Sequence, residues 1–285
     1  MRKRSRKFVA KILGRLWRLF RRWLFLTLSI GPMPEHIAFI LDGNRRYAKK
    51  KNLKMGAGHN VGFNSLVVVL RYCYELGVEY VTVYAFSIDN FRRKPEEVKG
   101  LMALMKEKID ELLEEDTIVH KFGLRIKFWG NLDMLSEPAR VAAERAMAAT
   151  ANNTGPVLSV CVAYTSTNEI VRAIKKSCST KRDETAEGSL GFTGDPLRDG
   201  ACGSIAVADM EDNLDSADCP DPDIIIRTSG ETRLSNFLLW QSTLTHLQNP
   251  IPLWPEFSLR NLIWAILEYQ RVYPYFEARR RGLAK

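Results

Sequence analysis

Five short runs, at 36–41, 80–86, 124–129, 157–164 and 223–228, are apolar almost from end to end. A strand with one face in water alternates apolar and polar residues. A run without alternation is buried on both faces. Between these runs fall segments of helical periodicity. The helix predicted over 60–76 places Val61, Leu66, Val69, Leu70 and Cys73 on one side. The helix predicted over 95–115 is entered at Pro95 and lines up Val98, Leu101, Met102, Met105, Ile109 and Leu112. An Ala-rich helix is expected at 136–149, another begins at 168–176, and a last one opens at 259–271. Strand and helix alternating in this way imply an α/β protein with a mostly parallel sheet, helices covering both faces. The 285 residues, 46% hydrophobic, suffice for one large domain, and no clean break divides them. Gly31-Pro32-Met33-Pro34 separates a tail, 1–30, from that domain, 31–285. Residues 177–220 are polar and rich in Gly and Asp, and read as a flexible insertion.

Ligands on parallel sheets bind beyond the carboxyl ends of the strands. Three such ends carry polar loops. Asp42-Gly43-Asn44-Arg45-Arg46 follows the first strand. Ser87-Ile88-Asp89-Asn90-Phe91-Arg92-Arg93 follows the second. Ser229-Gly230-Glu231-Thr232-Arg233-Leu234-Ser235-Asn236 follows the fifth. Arg46, Arg93, Arg227 and Arg233, joined by main-chain N–H groups of the turns, suit diphosphate. Guanidinium forks match phosphate oxygens, and the starts of helices add donors. Asp42 is an acid set among these cations. It reads either as a turn or N-cap residue or as the carboxylate that, with substrate phosphates, holds Mg2+. The common nucleotide signatures, the G-x-S-x-G elbow and an Asp-Asp-x-x-Asp cluster are missing. No Asp-x-Asp or Cys-x5-Arg nucleophile accompanies the loops, which argues against a phosphatase.

The net charge of +9 belongs to the tail. Residues 1–30 hold ten Lys/Arg and no acid, leaving 32 basic against 33 acidic residues in the rest. A nucleic-acid binder spreads its cations over a folded face, so that class is set aside. Wound as a helix over 4–24, the tail puts Arg4, Lys7, Lys11, Arg15, Arg18 and Arg22 on one stripe. Phe8, Leu13, Leu16, Trp17, Phe20 and Trp23 fall opposite. That is the pattern of a helix lying in a lipid headgroup plane. The uncharged stretch from Trp23 is too short to span a bilayer. An organelle transit peptide and a helix docking on protein remain as rivals. The five cysteines, Cys73, Cys161, Cys178, Cys202 and Cys219, form no C-x-x-C pair. They indicate a reducing compartment and no zinc site.

Several long motifs resemble those of the cis-prenyltransferases, the undecaprenyl and dehydrodolichyl diphosphate synthases. They are His36-Ile37-Ala38-Phe39-Ile40-Leu41-Asp42-Gly43-Asn44-Arg45-Arg46, Gly58-His59, Tyr84-Ala85-Phe86-Ser87-Ile88-Asp89-Asn90-Phe91, Ile226-Arg227-Thr228-Ser229-Gly230-Glu231-Thr232-Arg233-Leu234-Ser235-Asn236 and Leu253-Trp254-Pro255-Glu256. The likeness is greatest to the eukaryotic branch, and to plant members, including those related to rubber synthesis. It implies a single domain with a six-stranded sheet, the family's butterfly-type fold. It implies addition of isopentenyl diphosphate, in cis, to farnesyl or a similar allylic diphosphate, with Mg2+ as cofactor. By the same resemblance Gly43, Asn44, Arg45 and Arg46, with His59, hold the allylic diphosphate, and Arg227, Arg233 and Ser235 hold isopentenyl diphosphate. Phe86 and Arg93 belong to substrate binding, and Asp42 is the metal ligand. Asp42, Ser87 and Asn90 are the catalytic set. The apolar faces of 60–76 and 98–113 would then form a tunnel, with Phe63, Leu66, Leu70, Leu101, Met105 and Leu112 as liners. His246 stands where bacterial relatives carry a second acid for the metal. Arg280-Arg281-Gly282 has the letters of the family's closing motif but reads as a basic run. A homodimer or a heteromer with a Nogo-B-receptor-like subunit is therefore expected. The alternative is that this chain is itself a non-catalytic partner subunit. The expected location is the cytosolic face of the endoplasmic reticulum membrane, with the plastid as alternative.

Overall fold

The computed structural model describes residues 2–54, 56–188 and 205–283. In chain order its elements are α1 (Arg2–Leu28), β1 (His36–Ile40), α2 (Asn44–Lys50), α3 (Ala57–Glu75), β2 (Tyr80–Ser87), α4 (Pro95–Leu112), α5 (Ile118–Phe122), β3 (Arg125–Trp129), α6 (Glu137–Thr150), β4 (Val157–Tyr164), α7 (Ser166–Gly188), α8 (Val207–Glu211), β5 (Ile224–Arg227), β6 (His246–Gln248) and α9 (Leu259–Leu283). The six strands make one sheet in the order β3-β4-β2-β1-β5-β6. Every pairing is parallel. The five apolar runs are five of the six strands. β6 escapes sequence detection because it is three residues long and half-exposed.

All five residues of β1 are buried, as are all four of β5, as the unbroken apolar runs require. Phe39 meets Trp254 edge-on, with ring centroids 5.8 Å apart, and Phe257 at 6.0 Å. The main core lies between the sheet and α3, α4, α6 and α9, and includes Leu70, Cys73, Val83, Ala143, Leu158 and Ile266. Cys73 and Cys161 are buried free thiols. Their environment is apolar, and burial drives both thiols upward in pKa.

Two expectations change. The turn expected at 42–46 is partly helical, since Asn44, Arg45 and Arg46 open α2. The insertion expected at 177–220 is narrower. α7 continues to Gly188, and α8 packs back on it: Met210 and Leu214 bury against Ala173. Ser177 donates to the Asp209 carbonyl at 2.7 Å, and Arg172 pairs with Asp215. Two apolar side chains one turn apart are too sparse a pattern to reveal such a helix in sequence. The middle of the expected insertion, 189–204, lies outside the described residues.

Candidate active site

The sheet order sets the site. β1 lies between β2 and β5, so the loops leaving these three strands are neighbours although nearly 190 residues separate them in sequence. The connections from β1 run towards β2 on one side, while β5 is added on the other. This reversal opens a crevice at the strand ends.

Asp42 and Arg227 occupy that crevice. Arg227 Nη2 donates to Asp42 Oδ2 at 2.7 Å, and Arg46 Nη2 to Asp42 Oδ1 at 3.2 Å. Arg227 Nη1 donates to Ser235 Oγ at 2.6 Å and to the Arg233 carbonyl at 2.5 Å. Arg227 is only 5% exposed, so the loop is wound around a buried guanidinium. Burial works upward on the Asp42 carboxyl. Arg227 and then Arg46 work downward, and the net effect lowers its pKa. Asp42 is therefore anionic and screened by two cations; it lies in the turn before α2, whose N-cap is Gly43.

Glycine geometry builds the rest of this corner. Gly43 sits at φ 111°, where an L side chain is strained, and a Cβ there would come within 2.9 Å of Leu253. Gly62 on α3 lets Asn44 approach. A Cβ on Gly62 would lie 2.1 Å from Asn44 Oδ1. Asn44 Nδ2 donates to the Leu41 carbonyl, tying α2 to the end of β1. Trp254, fully buried, donates from Nε1 to the Gly62 carbonyl at 2.8 Å and from its backbone N–H to the Asp42 carbonyl.

On the β5 side the chain carries Ser229, Ser235, Asn236 and Leu238 at positive φ. Non-glycine residues hold such conformations only where surroundings enforce them. Here Thr167 N–H donates to Asn236 Oδ1 at 3.0 Å, Ser166 N–H to the Asn236 carbonyl, and Leu239 N–H to Ser166 Oγ. Tyr84, on β2, stacks on Phe237 at 4.7 Å and donates to the Tyr164 carbonyl at 3.1 Å. Burial raises its phenol to about 12, with a hydrogen bond from Ser87 working the other way.

Ser87 and Asn90 cap a 3-10 turn, Ile88–Arg92. The Asp89 N–H donates to Ser87 Oγ at 3.1 Å, and the Ser87 N–H to Asn90 Oδ1 at 3.0 Å. Arg93 pairs with Glu97 at 2.9 Å, and Arg45 lies 3.8 Å from the same carboxylate. His59 stands near all three. Burial first, then Arg93, lower its pKa against the opposing pull of Glu97.

These groups form the mouth of a cavity of about 720 Å³. Asp42, Asn44, Arg45, His59, Phe86, Ser87, Asn90, Arg93, Arg227, Arg233 and Ser235 all line it. Gly43 shapes the turn beneath, and Arg46 turns to Ser229 Oγ at 2.5 Å and to Glu231. Deeper in, the wall is apolar and comes from α3 and α4. Phe63, Leu66, Leu70, Leu101, Met105 and Leu112 all face this space. His246 does not line the cavity. It sits at the start of β6, beside Ile224, with its ring against Phe276. Arg280 is not a loose terminal residue either. It lies on α9 and pairs with Asp223 at 2.8 Å.

Sequence reasoning gave no role to Thr228, Tyr84, Trp254 or Gly62. Thr228 is fully buried and donates to the Asp42 carbonyl at 2.7 Å, joining β5 to β1. Thr228 and Trp254 fall within the quoted motifs, which was the available signal. The Gly62 contact has no signature in a single sequence.

Fold and site together define a parallel α/β protein whose cavity is cationic at the strand ends and apolar between α3 and α4. The chain belongs to the family described as putative undecaprenyl diphosphate synthase, whose model matches residues 40–277. It is 54% identical over 268 residues to a dehydrodolichyl diphosphate synthase of Solanum lycopersicum, covering 92% of each chain. It is 47% identical over 282 residues to a rubber cis-polyprenyltransferase of Hevea brasiliensis, covering 98% of each. Lavandulyl diphosphate synthase from Lavandula x intermedia, solved in complex with dimethylallyl diphosphate, superposes with a TM-score of 0.68. It is 28% identical, over 84% of this chain and 95% of that one.

Proposed function

We infer that this chain is a cis-prenyltransferase. It condenses isopentenyl diphosphate onto an allylic diphosphate such as farnesyl diphosphate and makes a long polyprenyl diphosphate of the dehydrodolichyl or rubber-like kind. The observation that carries this reading is the cavity: cationic around Asp42 and Arg227 at its mouth, apolar along α3 and α4 in its depth.

In this reading Asn44, Arg45 and Arg46, around the turn made possible by Gly43, take the allylic diphosphate, with His59 beside it. Arg227, Arg233 and Ser235 take isopentenyl diphosphate. The allylic C–O bond breaks and the diphosphate leaves with the electron pair. The isopentenyl double bond supplies the pair for the new C–C bond, and a proton is lost to restore a double bond in the Z sense. Arg46, already fixed by Asp42 and Ser229, stabilises the leaving charge without reorganising. Asn90 spends its oxygen on the Ser87 N–H, leaving its Nδ2 available to substrate.

The donor set fits magnesium in the way hard-cation sites shared with substrate do. Asp42 is an ionised carboxylate at the cavity mouth, Glu231 lies close to Arg46, and substrate phosphates would complete the shell. Bound there, magnesium would neutralise the departing diphosphate.

Residues 1–30 act as a membrane-surface anchor, supported by their charge and by the exposure of Leu16, Trp17, Leu19, Phe20 and Trp23. The location is the cytosolic face of the endoplasmic reticulum, or the plastid if the tail directs import. A second subunit, a copy or a Nogo-B-receptor-like chain, completes the site. Exposed Leu239 and Trp240, just beyond Ser235, and exposed Val171 and Ile174 on α7 support this.

The test is incubation of the full chain with farnesyl diphosphate, radiolabelled isopentenyl diphosphate and Mg2+, in detergent or lipid, with and without the candidate subunit. Long apolar product that disappears with Asp42→Ala is the expected result. Absence of product under every condition would sink the reading.

A further inference from the structure

α1 does not stand away from the domain. Its Arg21 pairs with Glu75 of α3 at 3.0 Å and lies over the Tyr72 ring at 5.5 Å. Phe25 and Leu28 are buried in the main core. Gln270 of α9 donates from Nε2 to the Leu28 carbonyl at 2.8 Å. The helix is thus fixed against α3 and α9 at its carboxyl end, while Leu16, Trp17, Leu19, Phe20, Trp23 and Leu26 stay in solvent. Trp23 is 64% exposed and Leu26 64%.

α9 presents a second exposed face beside it. Arg260, Trp264, Leu267, Arg271, Tyr275 and Ala278 follow the i, i+4, i+7, i+11 progression of one helical stripe. Trp264 is 62% exposed and Leu267 44%. Glu268, at the edge of the stripe, is paired with Arg271 at 2.9 Å. The two helices meet in an apolar groove of about 240 Å³, with Trp17 and Leu24 on one wall and Ile263, Trp264 and Leu267 on the other. A core helix buries such residues. Two adjacent helices that both expose tryptophan and leucine form one continuous apolar patch.

We propose that α1 and the Trp264–Leu267 face of α9 form a single docking surface for an anionic lipid bilayer. This rests on the anchor reading of residues 1–30 and adds a second, independent contact from the catalytic domain. The charge around the patch names the occupant. Residues 1–30 bring ten cations and no acid, Arg15, Arg18 and Arg22 of α1 are exposed, and Arg260 flanks the groove. Tryptophan with leucine beneath a fringe of arginine is the composition that settles at a headgroup boundary. No helix among the described residues is long and apolar enough to cross a membrane, so the contact is parallel to the surface. A second contact fixes the tilt of the domain, which a tail alone leaves free. It also places lipid close to the cavity: α1 rests on the Tyr72 and Glu75 side of α3, whose Leu66 and Leu70 line the cavity, about one helix diameter (~10 Å) away.

The experiment is flotation of the full-length chain on vesicles of phosphatidylcholine alone and of phosphatidylcholine with one-fifth phosphatidylserine. Four proteins are compared: wild type, Trp17→Ala with Trp23→Ala, Trp264→Ala with Leu267→Ser, and Trp264→Phe. All four side chains are exposed, so circular dichroism should be unchanged, and Trp264→Phe serves as a conservative control that retains binding. Wild type is expected to float with the anionic vesicles. Each double variant should partition at least about tenfold less, as expected for losing the burial of two apolar side chains. If wild type floats with neither vesicle, the anchor reading itself fails. If the α1 variant is released while the α9 variant floats as wild type, the anchor stands and the composite surface is overturned. An α9 variant that floats normally but sediments as a smaller assembly would overturn it too, making this face a protein interface.

Discussion

Asp42 and Arg227, 185 residues apart in sequence, meet at 2.7 Å across the boundary between β1 and β5. One guanidinium spans the two halves of the site: Nη2 holds Asp42 and Nη1 holds Ser235. Replacing Arg227 by Lys keeps the charge but not the fork. Arg227→Lys is therefore expected to lower kcat/KM for isopentenyl diphosphate by two to three orders of magnitude, roughly the scale for a lost fixed donor. Steady-state kinetics with labelled isopentenyl diphosphate would decide, and a near-wild-type Lys variant would refute the bridging role.

Asp42→Asn keeps the size and a hydrogen-bonding oxygen but removes the charge. If Asp42 serves the leaving diphosphate, kcat should fall about a thousandfold or more, and stability should fall as well because the buried Arg227 loses its carboxylate partner. Magnesium titration of the residual activity should then show a weakened dependence on the metal. An unchanged midpoint would remove Asp42 from the metal's shell.

Gly62→Ala places a methyl group 2.1 Å from Asn44 Oδ1 and must displace α2. Overpacking of this kind costs about 1–3 kcal/mol, and activity should fall with stability. Gly100 lies on the exposed side of α4, where an added Cβ meets nothing within 4 Å. Gly100→Ala is expected to stabilise by about 0.5–1 kcal/mol, the helix-propensity difference. Urea denaturation of both variants tests the contrast.

His36 predicts a pH dependence outside the site. Its Nδ1 lies 2.6 Å from the Pro220 carbonyl, which only accepts, so Nδ1 carries the proton and Nε2 accepts from the Thr82 hydroxyl at 2.8 Å. Burial lowers its pKa to about 4, against the smaller upward pulls of the Pro220 bond and Asp223. The unfolded chain, near 6.5, then binds the proton first as pH falls. Stability is full above pH 6.5 and lost towards pH 4, by up to about 3 kcal/mol. Urea midpoints between pH 7 and 5 should fall in wild type and flatten in His36→Gln. Parallel slopes would assign the effect elsewhere.

Met105 lines the apolar wall on α4 and is only partly buried there. Met105→Trp should narrow the cavity and shorten the polyprenyl product with little change in the first condensation. Thin-layer separation of labelled products measures this directly. An unaltered length distribution would move the growing chain away from α4.

Much of this was legible in the sequence because the elements announce themselves by burial on both faces. The runs around Phe39, Val83 and Ile225 could only be central strands, and polar loops after them could only meet at one edge. The candidate tunnel residues were legible as a face of α3 and α4. That they border open space, and not other side chains, follows from how far the two helices stand apart, which no periodicity encodes. The α2 helix and the packing of α8 on α7 were hidden by brevity. Arg280 was read as a loose cation because its partner, Asp223, lies 57 positions away.

The position of β1 also has a consequence in time. Its neighbour β5 is made long after it, and at synthesis speeds of 5–20 residues per second the interval is roughly ten to forty seconds. Throughout that period β1 can pair with β2 but leaves the backbone N–H and C=O groups of its other edge unpaired. The nascent chain thus passes through a stage in which it cannot bind substrate and can bind other strands. Shielding of this segment during translation should govern how much active enzyme a cell recovers.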